Sequence, residues 1–236
     1  MRGGPSSRLM DALEAVRRGG FVLLFDDSSR EGEVDMVKPA PYVRPEDILT
    51  LRREAGGLIC VALDAGLSRL LGLPYLLQLL LDAGPRWPGA ERLAGNTLAR
   101  RPYGDLPAFS LSVNHVETFT GITDVDRSRT IRALGEVAML AEQDGERARE
   151  LFWRSFRAPG HVPLLIAREG FPKERRGHTE LAIYLASLAG VPKAMVLCEM
   201  LAEEGGALPK ERARRLADQR GYAFVEGREL VQMAGA

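Results

Sequence analysis

The sequence predicts an α/β fold, a single-domain α/β sandwich in which helices cover a mixed sheet. Short apolar runs alternate with segments of helical period over most of the 236 residues, and a sheet that must bury its faces against helices produces that alternation. With 45% hydrophobic residues the chain can also fill a full core. No internal repeat or low-complexity tail divides it, so residues 1–236 read as one domain.

Leu9, Leu13 and Val16 share one helix face ahead of the buried strand 21–25 (FVLLF), and 34–38 (VDMVK) reads as that strand's partner. Pro45, suited to a first helical turn, opens a helix carrying Ile48, Leu49 and Arg52, and Gly56-Gly57 stops it before a strand at 58–63. Leucines crowd residues 67–81 more densely than one amphipathic face can hide, which predicts a subunit contact there. Residues 81–106, rich in Gly, Pro and Arg, show no clear period and read as a long excursion or lid. Beyond them, 109–113 (FSLSV) alternates like a half-exposed strand, 127–140 has helical period, 162–167 is a strand, 179–188 a helix and 194–199 a buried strand. A helix near 209–220 and a short strand at 222–225 close the chain.

Charge and composition exclude several function classes. Thirty-two basic and thirty-two acidic residues cancel, so no global field favours nucleic acid or an anionic membrane, and a small substrate fits better. No stretch approaches the roughly 18 apolar residues of a membrane span. The start, MRGGPSSRLMDALEAVRR, is an amphipathic helix pattern without the apolar centre of a signal peptide, which predicts a cytoplasmic protein. Cys60 and Cys198 lie far apart and form neither a zinc-site spacing nor a disulfide framework.

Chemistry concentrates in two places. The strand 21–25 delivers Asp26-Asp27-Ser28-Ser29-Arg30-Glu31-Gly32-Glu33-Val34-Asp35, five carboxylates and one Arg within ten residues. Such a loop can bind a hard divalent cation while its guanidinium holds an anionic group, and Gly32 permits unusual backbone angles. The second is Glu174-Arg175-Arg176-Gly177-His178-Thr179-Glu180, directly before a helical pattern. Free backbone N–H groups and the helix dipole attract anions there, Arg175 or Arg176 and the Thr179 hydroxyl add donors, and His178 is placed to ligate a metal. His161 follows Pro159-Gly160 at a strand start, so it and His178 can face one cleft. Cys60 ends one apolar run, and Glu199 ends the apolar strand MVLCE, where open sheets place ligands.

In this order and spacing, DDSSREGEVDMV (26–37), AGGLICVAL (55–63), FSLSVNHVETFTGITDVDRSRTI (109–131), APGHVPLLIAREG (158–170), RGHTE (176–180) and LCEM (197–200) resemble one family. It is the 3,4-dihydroxy-2-butanone 4-phosphate synthase family of riboflavin biosynthesis, in particular its archaeal-type members. The resemblance implies an α/β sandwich that converts D-ribulose 5-phosphate to L-3,4-dihydroxy-2-butanone 4-phosphate and formate, with Mg²⁺ (or Mn²⁺), as a homodimer. Residue by residue, Glu31 and His178 match metal ligands. Arg30 and Asp35 match substrate contacts, Arg175, Arg176, Gly177 and Thr179 the phosphate-binding turn. His161 and Glu199 match residues needed for chemistry, and Asp26, Cys60 and Thr120 others lining the site. Bacterial members carry Asn at the position of Gly32 and Gly at that of Val34. A binding paralogue without turnover is the alternative, against which Glu31, His161, His178 and Glu199 speak.

Overall fold

Seven short strands of alternating orientation set the architecture in the computed structural model, which describes residues 6–101 and 104–235. They are β1 (Val22–Phe25), β2 (Val34–Pro39), β3 (Cys60–Leu63), β4 (Phe109–His115), β5 (Phe156–Ile166), β6 (Ala194–Glu199) and β7 (Ala223–Glu226). One sheet holds them in the order β4-β5-β3-β6-β2-β1-β7. It is mixed: β5 runs parallel to β3 and β7 to β1, and the other neighbours are antiparallel. Residues 1–5 of the N-terminal pattern and two residues of the 81–106 segment lie outside the described residues.

Both faces of the sheet are apolar, so both need helices. Leu23 and Phe25 of β1, Val61 and Leu63 of β3, and Val196 and Cys198 of β6 enter one core. That core also takes Ile48 of α2 (Pro45–Thr50), Leu67 and Leu71 of α3 (Ala65–Leu71), and Ile131 and Leu134 of α6 (Asp124–Ala141). Phe152 of α7 (Gly145–Ser155) and Ala213 of α9 (Lys210–Arg220) complete it. The alternate residues, Val22, Leu24, Cys60, Ala62 and Leu197, enter the other core. Leu9 and Leu13 of α1 (Ser7–Arg17), Leu181 and Leu185 of α8 (His178–Ala189) and Leu230 of α10 (Gly227–Met233) cover them there. Each fully buried leucine contributes about 1.5–3 kcal/mol relative to exposure.

Most elements follow the apolar pattern, and the differences have local causes. Pro45 does start α2, but the chain then widens into a π turn, Leu51–Ala55, that ends at Gly56 with φ +89°. Strand β5 begins at Phe156, ahead of the apolar run, because its first half pairs with β4 across two register shifts while largely exposed. Helix α7 escapes the sequence pattern: only Ala148 and Phe152 are buried on it, and Asp144 caps it by accepting from the Arg147 N–H. The 81–106 segment contains α5 (Pro88–Ala99) after α4 (Leu76–Asp82). Among their residues only Ala94 is buried, which is why no period shows. No helix among the described residues is long and apolar enough to cross a membrane.

Candidate active site

The loop between β1 and β2 is built around the carboxylate of Asp26, 2% exposed. Its two oxygens accept from the Glu31 and Glu33 backbone N–H groups, each at 3.1 Å. Asp27 accepts from the N–H and hydroxyl of Ser29, which together hold its own carboxyl below the usual range. The Asp27 carbonyl accepts from the N–H of Arg30 and Gly32, and φ +67° at Gly32 is a left-handed turn that glycine adopts without strain. Two carboxylates are thus consumed in folding the loop, and Glu31 is presented by it.

Period-two alternation places the next groups. Asp35 lies between Val34 and Met36, which face the α6 side, so its own side chain points to the α8 side. There it meets His178, the first residue of α8. The imidazole Nδ1 is 3.3 Å from Glu31 Oε2, and Nε2 lies 3.3 Å from the Glu33 carbonyl oxygen and 3.7 Å from Asp35 Oδ1. Ligand atoms of Asp26, Glu31 and His178 all fall within 4.8 Å of one another. Burial is the largest influence on His178 and pushes it down, but Asp35, Glu31 and Asp26 together outweigh it and raise the imidazole to about 9. Burial likewise lifts the Asp35 carboxyl to about 7, whereas the hydrogen bond to His178 lowers Glu31. Asp35 Oδ1 is buried with no hydrogen-bond partner. Its nearest cationic neighbour is the His178 imidazole at 3.7 Å, beyond hydrogen-bond distance.

Next to this cluster lies a pair of arginines. Arg175 Nη1 donates to Glu180 Oε2 at 2.5 Å, and Glu180, 2% exposed, also accepts from the Arg168 N–H. The guanidinium rests on Gly177: a Cβ there would lie 2.6 Å from Arg175 Nη1. Arg30 Nη2 meets Asp105 Oδ2 at 2.5 Å, and Arg175 Nε is 3.6 Å from the same oxygen. Thr179, 4% exposed, sits in the first turn of α8. Arg176 turns away, its Nε donating to the Pro172 carbonyl, and lines a cavity of about 220 Å³ with Asp26, Arg30 and Arg228.

Glu199 pairs in register with Asp35 across β6 and β2, and its Oε2 accepts from the Leu58 N–H at 2.8 Å. The close approach needs glycine at 57, where a Cβ would stand 2.5 Å from Glu199 Oε2. Cys60 lies on the same sheet face but is 1% exposed, and burial together with the Glu199 charge pushes its thiol far up. A thiol so held keeps its proton at neutral pH. His161 and Thr120 lie elsewhere. Asn114 joins them, its Oδ1 accepting from the His161 N–H at 2.8 Å and its Nδ2 reaching His161 Nδ1 and the Thr120 carbonyl. Strands β3 and β6 separate β5 from β2, so His161 stands about 14 Å across the sheet from the Asp35 strand. Asp105, Asn114 and Glu180 were not assigned roles from the sequence. Glu180 and Asn114 carried a signal by their places in RGHTE and in FSLSVNHVETF; Asp105 carried none.

A family model for 3,4-dihydroxy-2-butanone 4-phosphate synthase matches residues 10–233. The chain belongs to the 3,4-dihydroxy-2-butanone 4-phosphate synthase family. The synthase of that name from Archaeoglobus fulgidus is 42% identical over 226 residues, which cover 94% of this chain and 92% of that protein. A crystal structure of a 3,4-dihydroxy-2-butanone 4-phosphate synthase in complex with two magnesium ions has a TM-score of 0.75 at 27% identity, covering 96% of this chain and 95% of that one. A two-domain synthase from A. baumannii has a TM-score of 0.73 at 27% identity, and 95% of this chain spans 56% of it. These synthases share the α/β architecture described above.

Proposed function

We propose that the protein converts D-ribulose 5-phosphate to L-3,4-dihydroxy-2-butanone 4-phosphate and formate in riboflavin biosynthesis, in the cytoplasm. The observation that carries this reading, beside the family, is the convergence of Glu31, His178 and Asp35 next to the Arg30–Arg175 pair. Metal and phosphate sites thereby fall at one end of one sheet face.

The donor set fits a hard divalent cation. Glu31 and His178, with Asp26 within reach, would hold Mg²⁺ (or Mn²⁺) close to the Asp35 carboxylate. When bound, the ion supplies Lewis acidity for negative charge developing on substrate oxygens. The chain's own residues do the rest. Arg175 and the N-terminal turn of α8, with Gly177 and Thr179, anchor the phosphate, and Arg30 beside Arg175 adds a second guanidinium to it. Asp35 contacts substrate hydroxyls from the sheet. Glu199, held in orientation by the Leu58 N–H, moves protons at the reacting carbons. Asp26 shapes the loop, Arg176 borders the site, and Cys60 lines its floor as a neutral thiol.

His161 and Thr120 complete the site from a second copy in a homodimer. Within one copy the sheet holds them about 14 Å from the carboxylate strand. Phe119 beside them is 92% exposed, with Val116, Ile122 and Val125 also exposed, an apolar patch of the kind that marks an interface. In the leucine-rich segment Leu67 and Leu71 are spent on the core, while none of the α4 leucines is buried, which leaves them for a subunit contact. Formate release from ribulose 5-phosphate, measured with and without a chelator, tests the reading. Glu31→Gln and His178→Ala should each lower metal-dependent turnover at least about 100-fold. Near-parental activity in either variant would refute the ligand assignment.

A further inference from the structure

Two arginines meet one carboxylate where the proposed substrate carries its phosphate, and that carboxylate belongs to neither loop of the site. Asp105 Oδ2 lies 2.5 Å from Arg30 Nη2 and 3.6 Å from Arg175 Nε. Both guanidiniums are only 11% exposed, and each is backed from inside by a carboxylate that is 2% exposed: Asp26, 3.8 Å from Arg30 Nη1, and Glu180, 2.5 Å from Arg175 Nη1. Asp105, with 24% of its side chain exposed, approaches from the outer side. It borders a cavity of about 170 Å³ whose walls include Arg30, Glu31, Arg175, Thr97 and Arg100.

We propose that Asp105 is an internal anion occupying the phosphate donors of Arg30 and Arg175, which the phosphate group of the substrate displaces on binding. The inference rests on the reading that the Arg175 turn takes the phosphate. Asp26 and Glu180 keep the arginines in place when Asp105 leaves, so the pocket does not have to reorganise to receive the ligand. A phosphate dianion offers more charge and more oxygens than a single carboxylate and wins the exchange. An unphosphorylated sugar has nothing to exchange and leaves the donors blocked, which gives the site selectivity for phosphorylated substrates. The contact also acts on structure. Helices α4 and α5 bury one side chain between them, Ala94, and the Asp105 ion pairs link the chain beyond α5 to the β1–β2 loop. Displacement therefore loosens α5 as the phosphate enters.

Inorganic phosphate titrated calorimetrically into the full-length protein in the presence of Mg²⁺ tests this. Asp105→Asn should bind phosphate at least about fivefold more tightly than the parent, the gain expected from removing a partly exposed competing ion pair. Asp105→Ser should do the same, and melting curves confirm that both variants are folded. Equal or weaker binding in folded variants overturns the proposal and makes Asp105 a residue that positions the arginines. Arg175→Ala separates this from the underlying reading: if it binds phosphate as well as the parent does, the phosphate site lies elsewhere and both readings fall. Amide exchange supplies the second measurement. Phosphate should speed exchange in α5 of the parent and have little effect in Asp105→Asn, where exchange is already fast; α5 protection unchanged by phosphate in the parent overturns the displacement.

Discussion

Replacing Gly160 with alanine isolates the contribution of His161 placement. Gly160 lies in β5 where that strand crosses closest to β4. A Cβ there would stand 2.0 Å from the Val113 carbonyl carbon, 2.3 Å from the Asn114 nitrogen and 2.4 Å from the Val113 oxygen. All three are backbone atoms, so no rotamer change relieves the clash, and the two strands must part by roughly 1.5 Å to restore contact near 3.5 Å. Overpacking of this kind costs about 1–3 kcal/mol. Parting the strands also strains the two hydrogen bonds between Asn114 and His161, at 2.8 and 3.1 Å, worth about 1 kcal/mol each. The expected loss is about 3 kcal/mol, and for a chain of this size it lowers the melting temperature by about 6–12 °C. If His161 serves the chemistry as proposed, turnover should fall about 100-fold, as expected when a catalytic side chain shifts by about 1 Å or more. Gly145→Ala is the control: its Cβ would meet only the flexible end of Leu70, at 3.3 Å, at the start of α7. Thermal melting and formate release on both variants decide the matter. A Gly160→Ala protein that melts within about 2 °C of the parent refutes the packing argument, and one that melts low but turns over normally removes His161 from the chemistry.

Stability of the metal-free protein should fall as pH rises from 6.5 to about 9, because folded His178 holds its proton to about 9 against 6.5 in the unfolded chain. The contribution of its carboxylate partners is complete below 6.5 and lost through about 9; melting in a chelator across that range should show the decline, and a His178→Gln variant should lack it. If His161 and Thr120 serve a neighbour's Glu31 and His178, specific activity should drop in step with the dimer fraction on dilution, as followed by sedimentation with formate release. Phe119→Asp should weaken both together, and a fully active monomer would contradict the shared site.

Much of this was legible in the residues themselves. The apolar runs located the central strands because both of their faces are buried, and β4 showed instead as a half-exposed alternation. The β1–β2 loop could be read because Asp26, Arg30, Glu31, Gly32 and Asp35 are close in sequence, and RGHTE because a helix start concentrates donors. Asp105 was hidden for the opposite reason. Its partner Arg30 is 75 residues away, and nothing about an Asp in a Gly- and Pro-rich stretch says which guanidinium it will meet. Asn114 holds His161 across 47 residues through a register that two irregularities shift. Helix α5 gave no period because it buries one alanine. Local chemistry is written locally; contacts made by sheet pairing are not.

Asp35 has a consequence for reading relatives of this chain. It is a carboxylic acid near the start of a buried strand, 1% exposed, with one oxygen that has no hydrogen-bond partner among the described residues. A buried polar group in that state costs about 1–3 kcal/mol, and valine or leucine at the same place would make the strand firmer. Only work done by the carboxylate opposes that exchange. A lineage that ceased to need the reaction would drift to an apolar residue here early, because drift at this site runs downhill in free energy. The residue at this one strand position therefore serves as a marker of retained chemistry, even in relatives whose exposed loops have diverged too far to align.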